Sequence, residues 1–200
     1  GFAHLFEHMM FQGSANVAKM EHFALVNGAG GSANGTTSSD RTNYYETLPS
    51  HQLSLGLWLE ADRMSTLAVN EENFENQRKV VINEYRQSYE NRPYGKAFLR
   101  INALAYGDYF PYANPTIGTV EDLNAVSWED ARDFYQSWYA PNNAVLAVVG
   151  DFESDEAMAL INQHFGSIGR RNVPEWEDPE FPGQTEERIE VMNDPLARLP

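Results

Sequence analysis

The sequence predicts an α+β fold, an antiparallel sheet with helices packed mainly on one face. Two observations carry that expectation. Periodicity and caps mark about six helices against roughly three or four strand-like runs, and two of those runs are adjacent enough to form a hairpin. A sheet that small is poor cover for so many helices, so strands preceding Gly1 are expected to complete it.

Residues 1–11, Gly-Phe-Ala-His-Leu-Phe-Glu-His-Met-Met-Phe, read as a helix ended by Gln12-Gly13-Ser14. It has no capping residue in front of it, so the chain is read as an excerpt that has lost N-terminal strands and any targeting segment. A short helix over 20–26 stops at Gly28. Residues 30–39 and 41–47, rich in Gly, Ser, Thr and Tyr, suggest a hairpin around Ser39-Asp40, with a flexible loop as the competing reading. An apolar helix comes next, over 52–67. Asn70-Glu71-Glu72 opens an acidic helix start leading into 74–89, and Arg92-Pro93-Tyr94-Gly95 breaks it. A short helix over 97–105 precedes an aromatic loop over 106–117. Ser127 caps a helix running to about Trp138, with Asp130 in the place of the usual Glu or Gln of a capping box. The Val/Leu/Ala run 143–149, closed by Gly150-Asp151, is the clearest strand signal in the chain. Residues 155–165 read as helix, 172–183 as a Pro-bearing acidic linker and 188–192 as a final strand. The domain expected is therefore 1–171, with 172–200 a linker and the start of a following segment.

Composition narrows the function. A hydrophobic content of 42% describes a globular protein, and a formal charge of −15 argues against nucleic acid or an anionic membrane surface as partner. The same charge mildly favours basic or neutral peptides. There are no cysteines, so neither disulfides nor thiolate metal sites are available. No apolar run is long enough to span a membrane. The compartment is not set by these features; the expectation leans to a bacterial periplasm or cell envelope.

The first helix carries the chemistry. His4 and His8 are four residues apart, so they stand one above the other on one face, where two imidazoles can reach one ion. Glu7 lies beside His8, close enough to work on a water there without being a ligand. The order His-x-x-Glu-His reverses the commoner His-Glu-x-x-His zinc helix. A half-buried histidine pair is the competing reading of the spacing alone. Two neutral histidines usually take a carboxylate as third zinc ligand and leave the fourth position to water. Glu84, just past the apolar turn Val80-Val81-Ile82, is the best distal candidate, because an acid attached to a buried face tends to be paired or coordinated. An ordinary solvated acid is the alternative there, and Glu75 is the next candidate.

Longer motifs extend the pattern. The run Gly1-x-Ala3-His4-x-x-Glu7-His8-Met9-x-Phe11-x-Gly13-Ser14 resembles the pitrilysin/insulinase family of zinc peptidases, which includes the mitochondrial processing peptidase. The resemblance continues in Asn34-Gly35-Thr36-Thr37, Asp40-x-Thr42-x-Tyr44, Val80-Val81-x-x-Glu84 and Tyr139-x-Pro141-x-Asn143-Ala144-x-Leu146-x-Val148-Val149-Gly150-Asp151. It implies that His4, His8 and Glu84 hold one zinc ion (Zn2+) and that Glu7 is the general base of a metalloendopeptidase acting on extended peptides. It also implies a second homologous half, fused or separate, closing around the substrate. Two departures stand out. Gln77 occupies a position, two turns before Glu84, where many relatives carry an acid supporting the ligands. Asn34-Gly35 replaces the usual Asn-Ala on the strand that resembles the substrate-binding edge. A non-catalytic subunit or peptide-binding module of the same fold is the alternative function, although such relatives typically lose a ligand or the base.

Overall fold

The computed structural model describes residues 1–198. The first helix, α1 (Phe2–Met9), is followed by α2 (Glu21–Gly28) and then by the hairpin of β1 (Ser32–Thr37) and β2 (Thr42–Thr47). The strands are antiparallel, with Ser32 opposite Thr47 and Thr37 opposite Thr42. Long helices α3 (Leu53–Thr66) and α4 (Glu71–Tyr85) come next, α4 running into a single π turn over Arg86–Glu90. They are followed by α5 (Gly95–Tyr106), α6 (Phe110–Ala113), α7 (Val120–Ala125), α8 (Trp128–Trp138) and α9 (Ser154–Phe165). The fold is α+β, as expected, with nine α-helices and two strands among the described residues. None of these helices is long and apolar enough to cross a membrane.

The core is built around α1. Leu5, Phe6 and Met9 recur at helical spacing and are wholly buried. Each such side chain contributes about 1.5–3 kcal/mol by leaving water. They meet Phe74, Val81 and Ile82 of α4 and Ala131 and Tyr135 of α8 in one apolar cluster. The Phe6 ring lies 5.1 Å from that of Phe134 and 5.2 Å from that of Tyr139. The apolar stripe of α1 thus faces the core and leaves the histidine face turned toward α4.

The caps match the sequence. Asn70 accepts a hydrogen bond from the Asn73 backbone N–H at 2.9 Å, with Glu71 and Glu72 in the positive first turn of α4. Ser127 and Asp130 form the reciprocal capping box of α8, with bonds of 3.1 and 2.8 Å. The acid's shorter side chain still closes the loop.

Two expected strands are absent from the described residues. Residues 144–149 are extended but have no ladder partner, and Val145 and Val149 are 96% and 95% exposed. Alternating Val and Leu specify an extended backbone; a strand also needs a neighbour's N–H and C=O groups. Here the segment faces β2 across an open groove of about 1430 Å³ floored by Leu57, Phe134 and Trp138. Residues 188–192 likewise join no sheet. That segment is held over α5 by side chains, with Arg188 donating to the Leu104 carbonyl at 2.9 Å and Arg100 paired with Glu190 at 2.8 Å. The expected loop 106–117 includes the short α6. Of the segment 172–200, residues 199–200 lie outside the described residues, and 172–198 contain no helix or strand.

Candidate metal centre

Two helices and a strand meet at the site. Buried Phe74, Gln77 and Val81 fall at positions i, i+3 and i+7 of α4, so this face packs on α1. Glu84 lies three residues beyond Val81, on the same face one turn later. The start of α4 is tied to the turn after α1 by Asn73, whose amide nitrogen donates to the carbonyls of Gln12 at 3.2 Å and Ala68 at 3.0 Å.

This packing brings His4, His8 and Glu84 together. The Nε2 atoms of His4 and His8 lie 3.7 and 3.3 Å from Glu84 Oε2, and the imidazole centroids are 4.9 Å apart. Each residue offers a ligand atom within 4.8 Å of the other two. Tetrahedral coordination with bonds of about 2.0–2.1 Å places neighbouring ligand atoms about 3.3–3.4 Å apart. The donor set therefore fits a zinc ion with little adjustment. One side is open: the Glu84 side chain is 40% exposed and that of His8 25%. Burial lowers the pKa of His4, partly opposed by the Glu84 carboxylate, so its imidazole stays neutral and able to donate a lone pair at neutral pH. A hydrogen bond with His8 holds the Glu84 carboxyl below the usual range, ahead of the opposing effect of burial. Among the described residues no Lys or Arg pairs with Glu84. Glu75, the other acid of α4 considered from the sequence, is instead paired with Arg78.

Glu7 projects from the same helix toward β1. Its Oε2 accepts a hydrogen bond from the Thr37 hydroxyl at 2.6 Å, and a Cβ added to Gly35 would lie 2.8 Å from Glu7 Cγ. Asn34 and Gly35 thus sit on the strand that flanks Glu7, with the Asn34 side chain accepting from the Gly35 N–H at 2.9 Å. The outer edge of β1 has no partner strand among the described residues. Gln77 is buried on α4 two turns before Glu84, and no hydrogen bond joins it to His4, His8, Glu7 or Glu84.

Sequence reasoning missed Thr37 as a contact of Glu7. It also missed a second grouping, His22, Glu46 and Glu60, which has metal-like ligand spacing. His22 Nε2 lies 3.8 Å from Glu46 Oε2, and neither that nitrogen nor either Glu46 oxygen has a hydrogen-bond partner. Arg63 grips the Glu60 carboxylate through two nitrogens, one of them Nε at 2.9 Å, and stacks over the rings of Tyr44 at 4.7 Å and Phe11 at 5.1 Å. Burial, reinforced by Glu60, pushes the Glu46 carboxyl up to about 8, and burial lowers His22 to about 4. Two carboxylates and one guanidinium are neutralised by a single proton on Glu46. With that proton the charges of this grouping balance without a metal.

Comparison with known proteins decides the family. Residues 1–120 match the model described as insulinase (peptidase family M16), and residues 125–199 match the one described as peptidase M16 inactive domain. The chain belongs to peptidase family M16. Within it, the zinc protease PqqE of Helicobacter pylori is 34% identical over 168 residues, 84% of this chain and 38% of the relative. The mitochondrial-processing peptidase subunit beta of Bos taurus is 27% identical over all of this chain and 41% of its own length. A crystal structure of a protease from Helicobacter pylori matches with a TM-score of 0.81 at 33% identity, over 90% of this chain and 42% of that one. This M16 chain thus spans about two fifths of the length of the relatives it matches.

Proposed function

We propose that this chain carries the catalytic centre of a zinc-dependent M16 endopeptidase. The observation that carries the reading is the convergence of His4, His8 and Glu84 with Glu7 on the adjoining turn of the same helix. His4, His8 and Glu84 would hold one zinc ion. When bound, the ion lowers the pKa of water to about 7 and polarises the scissile carbonyl. Glu7 takes the proton of the attacking water and returns it to the leaving amine. The substrate is an extended peptide added to the open edge of β1 at Asn34 and Gly35, where backbone pairing supplies affinity with little sequence restriction. Buried Gln77 supports the ligand-bearing face of α4 without charge. Residues 1–171 form the catalytic unit, and 172–200 are a linker and the start of another segment.

A second homologous half, fused or separate, closes over the peptide. The coverage of only 38% to 42% of the relatives supports this. The other reading, a non-catalytic module, draws on the description of the family model matched at 125–199. All four residues of the centre instead fall in 1–120, the part matching the insulinase model. The test is Glu7→Gln in the full-length protein. Zinc content should stay at one ion per site while hydrolysis of a quenched peptide falls about a hundredfold or more, the scale of general-base catalysis. Substantial residual hydrolysis would remove Glu7 from this role.

A further inference from the structure

Glu7 is not free to turn beside the histidines. The 2.6 Å bond from the Thr37 hydroxyl to Oε2 is in the range of hydroxyl–carboxylate contacts, about 2.5–2.7 Å. Thr37 in turn accepts a longer bond, 3.3 Å, from the Thr42 hydroxyl. Thr37 and Thr42 are register partners at the mouth of the hairpin, whose turn is closed by the Ser38 N–H donating to the Arg41 carbonyl at 2.8 Å. A hydroxyl has one proton to give. Thr42 fills a lone pair of Thr37 and leaves that proton directed at Glu7.

Gly35 completes the cradle. It is two residues before Thr37 and shares its face of β1. A Cβ there would sit 2.8 Å from Glu7 Cγ and 3.3 Å from Tyr44 Cδ1, so a side chain would push on the base or on the strand. The bare backbone is what lets the Glu7 stem lie against β1 with its carboxylate under Thr37.

We propose that Thr37 is a positioning residue for the general base. By occupying Oε2 it presents Oε1 of Glu7 to the attacking water, with Thr42 orienting the Thr37 hydroxyl and Gly35 providing the space. This rests on the reading of Glu7 as the base. Thr37→Val replaces the hydroxyl by a methyl of similar size. It should lower kcat about tenfold or more, on the scale at which misplacing a catalytic group costs up to about a hundredfold, with KM nearly unchanged. Zinc content should stay at one ion per site, because Thr37 touches no ligand.

The deciding experiment is a double-mutant cycle in the full-length, zinc-loaded protein, with zinc content measured beside kcat and KM. Thr37→Val should cost little further kcat in a Glu7→Gln background, since a base that cannot take the proton has no orientation to lose. Thr37→Ser, which keeps the hydroxyl, should retain kcat within about threefold of the parent, and this decides the matter if the valine variant does not fold. Equal losses from Thr37→Val in both backgrounds, loss of zinc, or a serine variant as impaired as valine would overturn the proposal. A fully impaired Glu7→Gln beside an unimpaired Thr37→Val would sink the positioning role alone. An active Glu7→Gln would instead sink the assignment of the base.

Discussion

Two histidine–glutamate groupings in this chain have nearly the same inventory and opposite prospects. His4, His8 and Glu84 bring one carboxylate to two imidazoles, with a partly exposed side and no guanidinium or ammonium paired to the acid among the described residues. His22, Glu46 and Glu60 bring two carboxylates to one imidazole, but Arg63 is already bound to Glu60 and packed between two aromatic rings. Ligand atoms in both lie within 4.8 Å of one another. Distance alone therefore does not separate a metal centre from a buried ion network. The resident cation does. The first grouping is left with donors and no positive charge; the second needs only a proton.

Removing that cation should change the second grouping most. Arg63→Met leaves Glu60 without its partner in a largely buried place, which should cost about 3–5 kcal/mol in unfolding experiments. It also leaves two carboxylates and an imidazole with no fixed positive charge. In a His8→Ala background, added zinc should then raise the melting temperature of the Arg63→Met protein and not that of the protein retaining Arg63. Equal zinc responses in the two would show that the guanidinium is not what excludes metal.

The second grouping also has a pH signature, smaller in size. Glu46 has its folded pKa raised from 4.5 to about 8, mainly by burial and next by Glu60. A raised folded pKa means that its contribution to stability is full below the unfolded value and is lost as pH rises through about 8. Glu46→Gln imitates the protonated acid and removes that loss. Its stability relative to the parent should increase steadily between pH 4.5 and pH 8, tracked by denaturant midpoints at each pH. A relative stability that stays flat over the same range would mean that Glu46 is ionised in the native state.

Legibility in the sequence divides in the same way, between local and distant causes. The convergence of side chains was legible for His4, Glu7 and His8 because they lie within two turns, and for Glu84 because Val81 and Ile82 mark the buried face it extends. Caps at Asn70 and Ser127 were legible for the same reason. The second grouping was not: its members come from α2, β2 and α3, and the sole local trace is the pairing of Glu60 with Arg63 one turn apart. Thr37 could have been found by noting that it shares a strand face with Gly35, the position flanking Glu7. Residues 143–149 misled in the other direction. Their pattern specifies extended backbone, but the pairing partner of a strand is written elsewhere, and across the groove from β2 the described residues supply none.

The proposed placement of the metal on His4, His8 and Glu84, and not on His22, Glu46 and Glu60, predicts which variants keep zinc. Zinc content per chain, measured in the full-length protein after dialysis against trace metal, reads that difference. The parent and Glu46→Gln should each retain one zinc ion, and Glu84→Ala should retain none. Full zinc in Glu84→Ala, or its loss in Glu46→Gln, would place the ion on other residues.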